Sequence, residues 1–201
     1  MEITVRQASK QDRDAVIKAF AIASPDEVVT AWILDGHPIE QFIDQYVPAL
    51  IDRALSDDEI WIAGAGSDIW AISIWQHVTS ADRLEREAAE ARALAESVPG
   101  VRALQRAAIV SDLLERSHPR EFPHRYLQVI VTVPEHRGKG AGAAILANRT
   151  KAASSASVPA YLEASTDRSA RLYTRMGFTQ TGTPHDLPDN GPTLRPMWFR
   201  G

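Results

Sequence analysis

Apolar and polar positions at the start of the chain alternate through Ile3, Thr4, Val5, Arg6 and Gln7, the period-two pattern of a half-buried strand. Ser9 and Asp12 then stand where a helix cap belongs, ahead of Val16, Ala19, Phe20 and Ala23 at helical spacing. Pro25, Gly36 and Pro38 mark a loop, after which Ile39, Phe42, Ile43, Tyr46, Val47, Leu50, Ile51 and Ala54 repeat at three-and-four spacing, the clearest amphipathic helix in the sequence. Residues 59–63 and 69–75 are rich in isoleucine and tryptophan and flank a Gly-Ala-Gly-Ser-Asp turn, which predicts a hairpin. Alternation along it puts Trp70 and Trp75 on opposite faces, so that one of them is available to a pocket, although core packing is the simpler use. Two helix-forming stretches, 81–96 and 101–116, are separated by Pro99-Gly100 and predict a helical hairpin on the surface.

The second half follows a different rhythm. Residues 126–133 form an almost unbroken β-branched and apolar run, as in a strand buried on both faces, and Pro134 ends it. An alanine-rich helix over 140–154, a short strand over 160–164, a short helix over 169–176 stopped by Gly177 and two terminal strands complete the order. The pattern predicts a mixed α/β (α+β) fold.

Composition narrows the function. With 201 residues, 44% of them hydrophobic and 24% charged, the chain is sized for one core, and we expect a single domain over 1–201 carrying an extra helical segment at about 81–117. A net charge of −4 offers no basic footprint for nucleic acid. The absence of cysteine excludes disulfides, thiolate metal sites and cysteine nucleophiles. The first residues lack the basic and apolar regions of a secretory leader, and no apolar run is long enough to span a membrane, so a cytoplasmic protein with no membrane partner is expected.

The segment after the buried strand carries the chemistry. In Pro134-Glu135-His136-Arg137-Gly138-Lys139-Gly140-Ala141-Gly142-Ala143, three glycines in five residues let several amides turn toward one anion. The helix start adds its dipole, and Arg137 and Lys139 add charge, so a diphosphate is the natural ligand. A plain glycine-rich turn is the bland alternative. A Walker loop is excluded because Lys139 is followed by Gly140 rather than Ser or Thr. A dinucleotide fingerprint fits the spacing of Gly138, Gly140 and Ala143, with Glu163 twenty residues beyond, but four residues separate the strand from its first glycine.

Arg137-Gly138-Lys139-Gly140-Ala141-Gly142 resembles the coenzyme A motif of the GNAT N-acetyltransferases, and Leu172-Tyr173-Thr174-Arg175-Met176-Gly177-Phe178 resembles the family's second signature, a tyrosine near a Gly-Phe pair. The resemblance extends over most of the chain and is strongest from His118-Pro119 onward, through Leu162-Glu163 and Gly191-Pro192. It implies a mostly antiparallel sheet with one splayed parallel strand pair, flanked by helices, that binds acetyl-CoA as co-substrate and acetylates a primary amine, an aminonucleoside antibiotic among the candidates. It assigns Arg137, Gly138, Lys139, Gly140, Ala141 and Gly142 to the diphosphate, the backbone of Val131, Thr132 and Val133 to pantetheine, and Tyr173 to protonation of the departing thiolate. Many relatives carry an asparagine where Thr166 stands, with Ser169 a substitute for that coenzyme contact.

Glu163, on an otherwise apolar strand, is a candidate to bind or deprotonate the amine, against the reading of a salt-bridged edge carboxylate. His118 and His124 are candidates for a proton relay, though loop histidines are more often surface residues, and no metal site is expected from them. The partner implied is a small-molecule amine, and the assembly a monomer or homodimer. Two rival functions remain at this stage, a catalytically silent acyl-CoA-binding domain and an NAD(P)-binding oxidoreductase.

Overall fold

A computed structural model describes residues 2–201. Eight strands form one open sheet of order β1-β2-β3-β4-β5-β8-β6, with β7 paired to β8. The strands are β1 (Thr4–Gln7), β2 (Glu59–Ala65), β3 (Asp68–Val78), β4 (His124–Thr132), β5 (Ala160–Ala164), β6 (Thr179–Gln180), β7 (His185–Asp186) and β8 (Thr193–Phe199). Every pairing is antiparallel except β4 with β5. That one parallel pair holds for only two residues, Arg125 opposite Ala160 and Tyr126 opposite Tyr161, after which the strands separate. The predicted mixed sheet with a splayed parallel pair is what forms.

The helices are α1 (Arg13–Ala23), α2 (Val28–Leu34), α3 (Ile39–Gln41), α4 (Val47–Asp57), α5 (Asp82–Ser97), α6 (Arg102–Ser117), α7 (Ala141–Ala156) and α8 (Asp167–Arg175). One sheet face packs on α1 and α4, through Val16, Phe20, Leu50 and Ile51 against Ile72, Ile74, Val131 and Val133. The opposite face is covered by α7 and α8, with Leu146, Ala153 and Tyr173 against Trp75, Leu127, Leu162 and Phe178. β4 is therefore buried on both sides, as its unbroken apolar run requires.

Several local features differ from the sequence reading, each for a physical reason. The expected loop after α1 contains α2, a seven-residue helix whose β-branched start, Val28-Val29-Thr30, hides its helicity and whose first N–H groups are capped by the Glu27 carboxylate. The long helix from Ile39 is broken by a π turn, Phe42–Tyr46, just before Pro48, which has no N–H to continue the ladder. Trp70 and Trp75 do not lie on opposite faces. Ala63 pairs with Ala71 and Gly64 with Ile69, which makes Trp70 an extra residue in β3, and this bulge turns its ring to the α7 side with Trp75. Both tryptophans are core residues there, and neither reaches the α1 side. Three short strands, not two, close the chain.

A candidate acyl-transfer site at the splayed strands

Where β4 leaves β5, the backbone direction of β4 decides what the gap can bind. Val133 donates its N–H to Trp70 C=O at 2.9 Å and accepts from His136 N–H at the same distance. By alternation Val131 is committed to β3 likewise, so Ile130 and Thr132 present their N–H and C=O groups to the open side. Of the three residues expected at pantetheine, Thr132 turns its backbone to the open side, where its C=O accepts from Arg137 Nε, whereas Val131 and Val133 are spent on the ladder. A second bulge, at Gln128, lies deeper, at the crotch of the splay, where Ile74 pairs with Val129 and Trp75 with Leu127.

Beyond β4, Pro134–His136 forms a 3₁₀ turn, and Gly138 and Gly140 take φ of +78° and +90°, the left-handed region that favours glycine. Gly140 is the N-cap of α7 and supplies no side chain. The first helical bond runs from Ala144 N–H to Gly140 C=O, which leaves the amides of Ala141, Gly142 and Ala143 pointing out of the helix end. An added Cβ at Gly142 would meet Thr132 Oγ1 at 3.6 Å, so the helix end sits directly against β4. These amides and the helix dipole make the cradle a fit for a diphosphate, and the open edge of β4 leads away from it toward the crotch.

The two cations expected at the cradle are tethered. Arg137 bonds Thr132 C=O through Nε at 3.3 Å and Asp26 through a terminal nitrogen at 3.1 Å. Lys139 lies 5.4 Å from the centre of the Trp70 ring, with its Nζ 3.2 Å from His136 Nδ1, and His136 itself stacks on Trp70 at 4.6 Å. Ser169 does not reach toward the gap. Its hydroxyl and that of Thr166 close a capping box on α8, each accepting the other's backbone N–H.

Tyr173 projects from α8 into the core beneath the splay. Burial, and then the nearby charge of Glu27, raise its phenol above the ordinary value, so it stays protonated through neutral pH. Glu27 was not singled out from sequence. One of its oxygens accepts from Val29 N–H and Thr30 N–H, and the other from Ser165 Oγ at 3.0 Å. That contact joins the start of α2 to the end of β5. The only signal for it was an acidic residue ahead of a short helix that propensity did not reveal.

Glu163 lies on the side of β5 that faces away from α7 and α8, two residues beyond Tyr161 and level with the crotch. It is no salt-bridged edge residue. Burial pushes its carboxyl up to about 7, while the phenols of Tyr126 and Tyr161 hold it from rising further. Neither Glu163 Oε1 nor the Tyr161 hydroxyl completes a hydrogen bond of good geometry.

His118 and His124 are not surface residues. Both are buried, with their Nε2 atoms 2.9 Å apart, and His124 Nδ1 is 2.7 Å from Glu121 C=O. A carbonyl only accepts, so His124 carries its proton on Nδ1, its Nε2 accepts from His118, and His118 Nδ1 is a bare acceptor. Burial, then the neighbouring His124, push His118 down to about 3. Among the described residues no group of three or more His, Asp or Glu stands close enough to hold a metal ion.

This geometry sits on a known fold. Residues 103–180 match the family model of the acetyltransferase (GNAT) domain. The fold matches that of an acetyltransferase from Corynebacterium glutamicum related to histone acetyltransferase HPA2, with a TM-score of 0.70 at 22% identity over 98% of this chain and 96% of the other. It also matches a polyamine N-acetyltransferase of Drosophila melanogaster, with a TM-score of 0.70 at 16% identity over 100% of both chains. A PaiA N-acetyltransferase of Thermoplasma acidophilum, solved in complex with coenzyme A, matches with a TM-score of 0.57 at 14% identity over 100% of both chains. The chain thus has the GNAT fold, with the family's domain model falling on the segment that builds the cradle, β5 and Tyr173. The dinucleotide reading falls with it, because a mostly antiparallel sheet is not the doubly wound parallel sheet that fingerprint needs. No helix among the described residues is long and apolar enough to cross a membrane.

Proposed function

We propose that the protein is an acetyl-CoA-dependent N-acetyltransferase that acetylates a primary amine of a small molecule. The observation that carries this reading is the splay itself. A free amide cradle lies at its outer end, β4 backbone turned away from the ladder runs along its edge, and a buried carboxylate and a buried phenol stand near its crotch.

The residues divide the work as follows. The free amides of Ala141, Gly142 and Ala143 hold the diphosphate, and Ile130 and Thr132 hold the pantetheine arm, which brings the thioester to the crotch. Glu163, with a pKa of about 7, is matched to accept a proton from the amine near neutral pH. The amine nitrogen attacks the carbonyl carbon, the C–S bond breaks, and Tyr173 gives its phenolic proton to the departing sulfur. Glu27, whose oxygens are already committed to α2 and Ser165, is a positioning residue. It fixes α2 to the end of β5, and its charge helps keep Tyr173 protonated.

The polyamine N-acetyltransferase of Drosophila, named as forming N-acetylagmatine, shares the fold and takes a small amine. The sequence resemblance from His118-Pro119 onward points further, to puromycin N-acetyltransferase and an aminonucleoside acceptor. Thiol release from acetyl-CoA in the presence of puromycin and of simple amines tests both levels. Release with any small amine supports the reaction, release with puromycin supports the finer acceptor, and absence of release with all of them contradicts the enzyme.

A further inference from the structure

The two halves of α6 are held differently. The fully buried side chains of this helix, Ala103, Arg106 and Ala108, all lie in its first half, where Arg106 clamps it to α2. In its second half Val110, Leu113 and Leu114 are only half-buried, and the next fully buried residue is the C-cap, His118. Its Nε2 lies 2.9 Å from Nε2 of His124, the buried first residue of β4. The His118 ring meets Tyr126 and Tyr161 edge-on, at 4.7 and 5.1 Å, and these are the residues at which β4 and β5 stop pairing. The His124 ring stacks on Phe122 and meets Trp198 edge-on, so aromatic rings close the pair off from water.

The pair accommodates two protons and resists a third. His124 Nδ1–H donates to Glu121 C=O at 2.7 Å, His118 Nε2–H donates to His124 Nε2, and His118 Nδ1 has no partner. A third proton on His124 Nε2 would face the His118 N–H, unless His118 moved its own proton to Nδ1, where no acceptor waits. Either arrangement also places a cation away from water. The surrounding charges supply no free counter-ion. Arg120, on the His118 side, is bonded to Glu85 and Glu115, His77 of β3 lies on the His124 side, and the Glu121 carboxylate is bonded to Arg200. Glu163 of β5 acts on the Tyr161 phenol rather than on the imidazoles. Burial, then His124 and Arg120, hold His118 down at about 3, and burial lowers His124 as well, against the opposing effect of Glu121.

We propose that the His118–His124 pair is an acid-operated latch, which below neutral pH releases the C-terminal half of α6 and the 118–123 connection from the sheet while the rest of the fold stays closed. Once the segment swings away, both imidazoles reach water and take up protons at their ordinary value of about 6.5. Because the folded values lie below the open ones, the latch holds fully above about 6.5 and loosens as pH falls below it. At pH 5 each open histidine favours opening by up to about 30-fold, so the two together shift the equilibrium by up to about a thousandfold relative to pH 8. Glu163 titrates in the opposite sense, since its raised carboxyl makes the folded state firmer as pH falls. The body of the fold therefore gains while this one segment loosens. Arg106 keeps the first half of α6 on α2 and supplies the hinge. The movement uncovers Tyr126 and Tyr161 at the base of the splay, which couples ambient pH to the site.

Hydrogen exchange of the intact chain, followed by mass spectrometry between pH 8 and pH 5 and corrected for the intrinsic pH dependence of exchange, tests the latch. Protection in peptides covering residues 109–123 is expected to fall by about 100-fold to 1000-fold over this range, while that in β3 and α7 holds or rises. His118→Gln keeps an N–H to donate to His124 but takes up no proton, so in this variant the fall should shrink to about 30-fold or less. If the variant does not fold, the wild-type profile still decides. Protection that falls equally in all segments would mean acid unfolding of the whole fold, and protection of 109–123 that holds to pH 5 would mean a pair that stays closed; either overturns the proposal. A fall in 109–123 that His118→Gln leaves unchanged assigns the opening to other groups and overturns it too.

Discussion

Asp26 and Arg137 meet at 3.1 Å across the mouth of the splay, joining the α1–α2 connection to the turn that leads into the cradle. Both side chains are well exposed, so the pair contributes less than about 1 kcal/mol to folding. Its effect is on binding, because a diphosphate at the cradle competes with Asp26 for the guanidinium. Asp26→Asn is therefore expected to tighten coenzyme A binding by about threefold to tenfold at low salt, less at high salt, and to leave the unfolding midpoint nearly unchanged. Calorimetric titration at two ionic strengths checks both parts.

Gly140 caps α7 at φ +90° without a side chain. Gly140→Ala should lower stability by about 1–2 kcal/mol through backbone strain. Gly140→Asp adds a negative charge beside the amides and should reduce coenzyme A affinity by more than about a hundredfold. Denaturant titration and calorimetry read the two effects separately.

Tyr173→Phe keeps the ring in the core and removes only the proton. Turnover should fall by about a hundredfold or more, with coenzyme A affinity within about twofold of wild type. Burial and the Glu27 charge raise the phenol, so in wild type its ionisation should not limit turnover until well above neutral pH.

Glu163 has a carboxyl raised to about 7 from 4.5, so the folded protein holds more protons than the unfolded chain between these values. Its contribution to stability is fully present below the lower value and is lost as pH rises through the upper one. Glu163→Gln should therefore gain stability relative to wild type as pH rises from about 4.5 to 7 and no further, by on the order of 3 kcal/mol at most. The same variant should lose the rising limb of kcat/KM near pH 7. Denaturation midpoints and rate profiles across pH 5 to 9 test the two statements.

Arg106 is buried against Trp32, with its guanidinium 4.5 Å from the ring centre, while its carboxylate partners remain exposed. Arg106→Met should cost about 2–4 kcal/mol, from the loss of its charged hydrogen bond to the Trp32 carbonyl, which keeps only the long bond from Asp35 N–H, and from the lost stacking on the ring. It should also raise KM for the acceptor more than for acetyl-CoA.

The cradle was legible because its chemistry is local, glycines at fixed spacing after a strand stopped by proline, whereas Tyr173 was singled out through family resemblance. The splay was legible only through family resemblance, since nothing in residues 126–133 says that pairing with β5 stops after Tyr126. Glu27 and Arg106 escaped because their roles depend on partners up to 138 residues away, such as Ser165 for Glu27. The histidines were misjudged because spacing does not show that the end of α6 and the start of β4 converge in the core. The tryptophan faces were misassigned for a subtler reason: one bulged residue inverts the side-chain alternation beyond it.

The central claim is that acetyl leaves the thioester for an amine at the crotch of β4 and β5. Its most direct test is to mix the protein with acetyl-CoA and phenylalaninamide, and to measure free thiol and acetylated product together. The account predicts one thiol for each acetyl amide formed, with the rate lost in Tyr173→Phe and in Gly140→Asp. Coenzyme A that binds at the cradle without any thiol release, or release that Tyr173→Phe leaves intact, would contradict it.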